Sequence, residues 1–251
     1  MSVKSLLLVW RDKKSRLYFH VGTLTYNGDL YKFEYTHQSK AYRKVKAALN
    51  VGYTLHPAFP QLTKIYESEK LFPAFARRIP SKSRVDYGEV LKKLSLPKEA
   101  DQMDILRATR GMTGKNPYFF DEPLRLIDNN ILKNNFYISG MRYREFPDPW
   151  STLLREGDEL ILEPDFENEV DPNAVKIFTK DKLFLGFVPG IFSKAIGALL
   201  KRNTEMKITI TQINPTYTPQ LWVKVNFQSV LEKNLSNTEL IELDSLLILA
   251  A

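Results

Sequence analysis

Between Glu163 and Ile177 the chain reads Glu-Pro-Asp-Phe-Glu-Asn-Glu-Val-Asp-Pro-Asn-Ala-Val-Lys-Ile, an acidic run that closes on alternating apolar residues. Carboxylates are hard ligands for divalent cations. Together with Asp148 and Asp158, the acids Glu163, Asp165, Glu167, Glu169 and Asp171 are therefore the raw material of a metal-dependent nuclease. Their spacing does not put them on one surface, and no Ser/His/Asp set accompanies them to activate a nucleophile. The three histidines, at 20, 37 and 56, have no metal-ligand spacing. Gly111-Met112-Thr113-Gly114 lacks the Gly-Lys-Ser/Thr ending and the preceding buried strand of a phosphate-binding loop, and reads as a helix-ending turn. The expectation is a non-enzyme without cofactor or metal. The acidic stretch then has two readings left: a solvated connection between strands, or a functional loop carried on a rigid scaffold.

Composition bounds what can hold such a loop. The 251 residues are 43% hydrophobic, enough for one large domain or two ordinary ones. Cysteine is absent, which excludes disulfides and thiolate sites and is compatible with a reducing compartment. The apolar run of the first ten residues is shorter than a signal-peptide core, and no stretch reaches membrane-spanning length. The expectation is a cytoplasmic protein. The net charge is +7, unevenly spread: residues 1–130 hold 23 Lys and Arg against 13 Asp and Glu, the remainder 13 against 16. Nonspecific attraction to phosphates would come from the first half, while the second half needs a local basic patch to bind nucleic acid.

The elements follow from periodicity. Residues 3–10 and Leu17–Tyr26 read as strands, Asn27-Gly28 as a two-residue hairpin turn, and Leu30–Tyr35 as the returning strand. Helical spacing is expected over Ser39–Leu49, Leu62–Phe75 and Ser83–Leu94, the last burying Val85, Val90, Leu91 and Leu94. Asp101 is a candidate N-cap for a helix burying Met103, Ile105 and Leu106. A domain boundary is expected near Asp128–Asn134. Short strands follow at Phe136–Met141, Glu159–Leu162, Val175–Phe178, Leu183–Val188, Met206–Ile213 and Leu221–Val230, with an amphipathic helix over Phe192–Lys201. This pattern suggests an α+β protein whose second part is a small, partly open β-barrel, OB-like or SH3-like. Ser236-Asn237-Thr238-Glu239 begins an expected apolar C-terminal helix within residues 231–251.

Two resemblances attach to these pieces. Val21-Gly22-Thr23-Leu24, Phe33-Glu34-Tyr35, the run Leu71–Pro80, Met103-Asp104-Ile105-Leu106 and the Gly111–Gly114 loop resemble the N-terminal subdomain of HipA-type toxin kinases, across about residues 3–122 (domain 1–128). That implies a docking or inhibitory half without phosphotransfer, with a HipA-like kinase or a helix-turn-helix protein as partner. Ser139–Tyr143, Leu154–Leu160, Leu162-Glu163-Pro164, Asn168, Asp171–Ile177 and Leu185–Pro189, followed by the helix from Ile191, resemble a HIRAN domain over residues 135–230.

The HIRAN resemblance implies an OB-like barrel that captures the 3′ end of single-stranded DNA. Arg142 would meet a phosphate, Tyr143 would stack on a base, Asp171 would accept a hydrogen bond from the terminal 3′-hydroxyl, and Asn168 would support the pocket. Phe187 belongs to the same expected site, and Lys194, with Lys201 and Arg202, would flank a backbone path. Two positions depart from the family's pattern. Val170 stands where an aromatic residue precedes the Asp, and Phe187-Val188-Pro189-Gly190 replaces a more polar, basic segment. The expected function is a non-catalytic, DNA-binding adaptor. The alternative is an antitoxin-like regulator that binds only protein, with a degenerate HIRAN fold.

Overall fold

The computed structural model describes residues 3–113, 117–127, 130–202, 204–231, 236–244 and 247–249. The chain forms two units that divide after Pro123. The first contains β1 (Lys4–Arg11), β2 (Tyr18–Tyr26), β3 (Tyr31–Tyr35), α1 (Val45–Asn50), β4 (Tyr66–Ser68), α2 (Pro73–Ala76), α3 (Tyr87–Lys93), α4 (Gln102–Thr109) and β5 (Tyr118–Asp121). Its sheet runs β4-β3-β2-β1-β5, every pair antiparallel. One face carries an aromatic core in which Phe33 meets Phe59 at 4.4 Å and Phe75 at 5.4 Å between ring centroids, and Phe120 meets Phe75 at 5.1 Å. Each such pair adds about 0.5–1.5 kcal/mol beyond area burial. Gly22 is required here because a Cβ would lie 2.6 Å from the Phe33 ring and 2.9 Å from the Glu34 carbonyl.

Several helical expectations for this unit shrink. Ser39–Lys44 is not helical: Arg43 has a positive φ of 56° and Lys44 bridges to His20 of β2, so α1 starts only at Val45. Within Leu62–Phe75, Tyr66 pairs with Phe33 as an edge strand, and only Pro73–Ala76 is helical. Edge pairing with an aromatic-rich strand outweighs the apolar spacing there. The helix expected over Ser83–Leu94 is α3 alone, and Val85 is fully exposed before it rather than buried. The hairpin after Tyr26 is not a two-residue turn either. Tyr26 pairs with Tyr31, and the Asn27 side chain accepts the backbone N–H groups of Asp29 and Leu30, closing a longer loop by an Asx turn. Asp101 does cap α4 in a reciprocal capping box with Asp104, and Arg110 ends the helix in the left-handed region. Gly114 of the expected turn after α4 lies outside the described residues.

The second unit contains β6 (Leu124–Ile127), β7 (Ile131–Tyr137), β8 (Leu160–Pro164), β9 (Val175–Thr179), β10 (Phe184–Phe187), α5 (Gly190–Lys201), β11 (Met206–Ile213), β12 (Val223–Val230), α6 (Asn237–Asp244) and β13 (Leu247–Leu249). One sheet runs β10-β9-β8 and the other β11-β12-β7-β6-β13. Single bridges join the two sheets: Ser139 after β7 exchanges two hydrogen bonds with Phe187, and Glu159 before β8 faces Thr209 of β11. The ring is thus completed by isolated bridges, and neither sheet closes on itself as a continuous barrel. Glu159 reinforces its bridge by pairing with Lys180 at 3.0 Å and Lys207 at 2.8 Å, whose hydrogen bonds pull its carboxyl down to about 2.

α5 buries Phe192, Ala195, Ile196 and Leu199 at helical spacing, and Phe192 stacks on Phe136 of β7. At the C-terminal end, α6 stops at Asp244, and Leu247–Leu249 pairs in parallel with Leu124–Leu126 as β13, so this apolar run is a strand rather than more helix. β6 begins before the expected boundary region, of which residues 128 and 129 lie outside the described residues.

Candidate functional site

The Glu163–Ile177 stretch leaves β8 and returns as β9, and its neck is closed by the Asp165 N–H donating to the Ala174 carbonyl at 2.8 Å. Asn168 organises the interior. Its side-chain oxygen accepts the N–H groups of Val170 at 3.1 Å and Asp171 at 2.8 Å, and its amide donates to Asp165 at 3.0 Å. Asp171 in turn accepts the Asn173 N–H at 3.0 Å and is recessed, 9% exposed. Burial alone would push the Asp165 carboxyl up, but the hydrogen bond from Asn168 and the ion pair with Lys176 at 2.9 Å hold it below its ordinary value. Two acids of the stretch, Asp165 and Asp171, are therefore committed to shaping the loop. Among the described residues no group of three or more His, Asp or Glu side chains is placed to hold a metal ion.

Arg142 and Tyr143 lie on a single-turn 3-10 helix, Met141–Tyr143, entered through Gly140 at a φ of 80°. Met141 anchors the turn in the core, while Tyr143 is 60% exposed with the Arg142 guanidinium 4.8 Å from its ring centre. Among the described residues Arg142 has no carboxylate partner. The two expected pairs, Asn168 with Asp171 and Arg142 with Tyr143, are each brought together.

Phe187 lies beside Gly140, where the turn begins, and pairs in register with Lys176 on the outward face of β9 and β10. A register shift between Phe184 and Gly186 turns Phe187 to the same side as Phe184, their ring centroids 5.2 Å apart. Gly186, at a φ of 151°, permits this: a Cβ there would strike the Ser139 carbonyl and the Ile138 side chain. Phe184 also packs on Phe178 at 5.1 Å. Arg144, immediately after the turn, lies over Phe184 at 4.8 Å and Phe187 at 5.6 Å, and Lys176 and Lys182 reach the Phe184 and Phe178 rings at 5.9 Å each. Arg144, Phe178 and Phe184 were not among the expected site residues. Alternation along β9 could have paired Lys176 with Phe178, but the bulge that adds Phe187 leaves no mark in the sequence beyond Gly186.

Lys194 is placed differently. It points from α5 toward a cavity of about 340 Å³ bounded by the outer flank of the loop, α5 and α6, and it pairs with Glu242 at 2.9 Å. Phe166, 76% exposed, stands on the loop at the rim of this cavity.

Comparison with known proteins falls on this second unit. The family model of the HIRAN domain matches residues 132–233. Among solved structures, the HIRAN domain of human HLTF is similar at 11% identity and a TM-score of 0.34, covering 48% of this chain and 93% of that one. A protein from Lactobacillus plantarum is similar at 18% identity and a TM-score of 0.32, covering 40% and 99%. No curated protein matches the chain. The loop, the turn and the aromatic face all fall within the residues that match the HIRAN domain.

Proposed function

We propose that the second unit binds single-stranded DNA and captures its free 3′ end. The observation that carries this reading is the exposed Tyr143 ring with the Arg142 guanidinium beside it, a stacking surface and a phosphate ligand on one turn. Asp171 is the hydroxyl reader: its carboxylate accepts a hydrogen bond from a terminal 3′-hydroxyl and repels the phosphate that an internal nucleotide would put there. Asn168 fixes the loop that presents it, and Phe187 forms the apolar wall. The protein acts as a non-catalytic adaptor, and its basic first unit docks a protein partner such as a HipA-type kinase or a helix-turn-helix protein.

One comparison tests the end-capture reading. Affinity is measured for a single strand with a free 3′-hydroxyl, a strand with a 3′-phosphate, and a circle without ends. The free hydroxyl is expected to bind tightest, and Asp171→Ala to abolish the difference. Equal affinity for all three sinks it.

A second reading has its own support. Asp171 already serves its loop and Lys194 is paired with Glu242, as suits a regulator that binds only protein. Retention of a HipA-type kinase by the full chain, with no binding of any DNA, would favour it.

A further inference from the structure

We infer that the outward face of β9 and β10 is a second contact surface, a platform on which a single DNA strand is stacked beyond the Arg142–Tyr143 turn. The inference rests on the single-strand reading of the same unit and shares Phe187 with it, but otherwise uses different residues. Phe178, Phe184 and Phe187 form a contiguous strip with neighbouring ring centroids 5.1 and 5.2 Å apart, on a face where alternation would ordinarily place polar side chains. All three are only partly buried, so the strip meets solvent. Cations lie along it: Arg144 across Phe184 and Phe187, Lys176 beside Phe184, and Lys182 beside Phe178.

The alternation of flat rings and cations matches one occupant, a chain of flat bases joined by phosphates. Bases stack on a phenyl ring or on the guanidinium plane layered over it, and the cations meet the backbone. Such recognition is tolerant of sequence, since every base has a π-face. Arg144 is the strongest single indication. It makes no ion pair among the described residues, so its charge is balanced there by aromatic rings and by no carboxylate. Lys182 is held by Glu163, but that pair is exposed, and exposed pairs exchange partners at little cost. Lys176, by contrast, is tied to Asp165 and hence to Asn168 and Asp171, which makes the strip continuous with the acidic loop. At its other end the strip adjoins the turn, because Arg144 follows Tyr143 directly.

The full-length protein is titrated with fluorescent oligothymidylates of about four and about twelve nucleotides, the range a small barrel of this kind covers. Phe178→Leu and Phe184→Leu keep apolar volume but remove the ring, and circular dichroism verifies that each variant is folded. Each is expected to weaken the longer oligonucleotide about fivefold or more and the shorter one much less. Lys182→Ala is expected to lower the salt slope for the longer strand by about 0.7. Unchanged affinity of folded Phe178→Leu and Phe184→Leu for the longer strand overturns the platform, as does failure of the unaltered protein to bind either strand. The end-capture reading fails separately. If Asp171→Ala leaves the preference for a free hydroxyl untouched while the ring variants weaken the longer strand, the platform stands without it.

Discussion

The side-chain oxygen of Asn168 accepts the backbone N–H of Asp171 at 2.8 Å, while the Asn168 amide donates to Asp165 at 3.0 Å, so one residue fixes two acids of the loop. Asn168→Ala removes three hydrogen bonds at once and leaves two backbone N–H groups to find water. It is expected to destabilise the second unit by about 1–3 kcal/mol, read as a lower midpoint in urea unfolding. Asn168→Asp, which keeps the acceptor but sets a carboxylate against Asp165, should do no better than the alanine variant. An unchanged midpoint for both would show that the loop is held by its neck alone.

Gly186 carries the bulge that turns Phe187 outward and lets β10 bridge to Ser139. Alanine at this position meets backbone on one side and a strained φ on the other. Gly186→Ala should cost about 1–3 kcal/mol or more, well beyond the usual effect of a glycine replacement in a strand. Thermal unfolding would register this as a drop in Tm, and wild-type Tm would refute the close approach.

In the first unit, Arg110 and Asp121 form a buried pair at 2.7 Å, with side chains 10% and 4% exposed, and the guanidinium also lies 4.3 Å from the Phe119 ring. Removing the cation strands a carboxylate in a low-dielectric setting. Arg110→Ala is expected to destabilise by about 3–5 kcal/mol, whereas a paired replacement of both residues by apolar groups should recover much of the loss. Denaturant unfolding of the single and double variants gives the comparison, and equal losses in the two would contradict the buried-charge explanation.

His20 contributes a pH dependence of stability, in the same direction as His56, whose pKa burial and the nearby Arg78 and Arg77 also lower. His20 is fully buried, and burial together with the neighbouring Lys44 ammonium lowers its pKa well below 6.5; its Nδ1 lies 2.8 Å from Lys44 Nζ and its Nε2 3.1 Å from Thr23 Oγ1. Because the ammonium can only donate, Nδ1 must accept, so the ring is neutral and its proton sits on Nε2. The unfolded chain then binds a proton that the folded chain refuses. Stability is full above pH 6.5 and declines as the pH falls below it toward the depressed folded value. Urea midpoints measured across that window should slope downward into acid, and His20→Gln should reduce the slope to the part that His56 contributes. A wild-type profile without slope below pH 6.5 would mean that His20 can be protonated in place.

Where a local pattern was reinforced by its packing, the sequence was a sufficient guide. The meander of β1 to β3, the N-cap at Asp101, the amphipathic α5, the bounds of β11 and the α+β class all follow from periodicity and short-range chemistry. Asn168 with Asp171, and Arg142 with Tyr143, were singled out by the HIRAN resemblance, and the contacts within each pair are local. Tertiary structure decided the rest, wherever a partner distant in sequence outweighed local spacing. Tyr66 became an edge strand because Phe33 was available to pair with it, and Leu247–Leu249 became β13 because β6 offered a free edge. The aromatic strip belongs to this second group. A strand's alternation would have sent Phe184 and Phe187 to opposite faces, and only the bulge at Gly186, fixed by the close Ser139 carbonyl, set them side by side under Arg144.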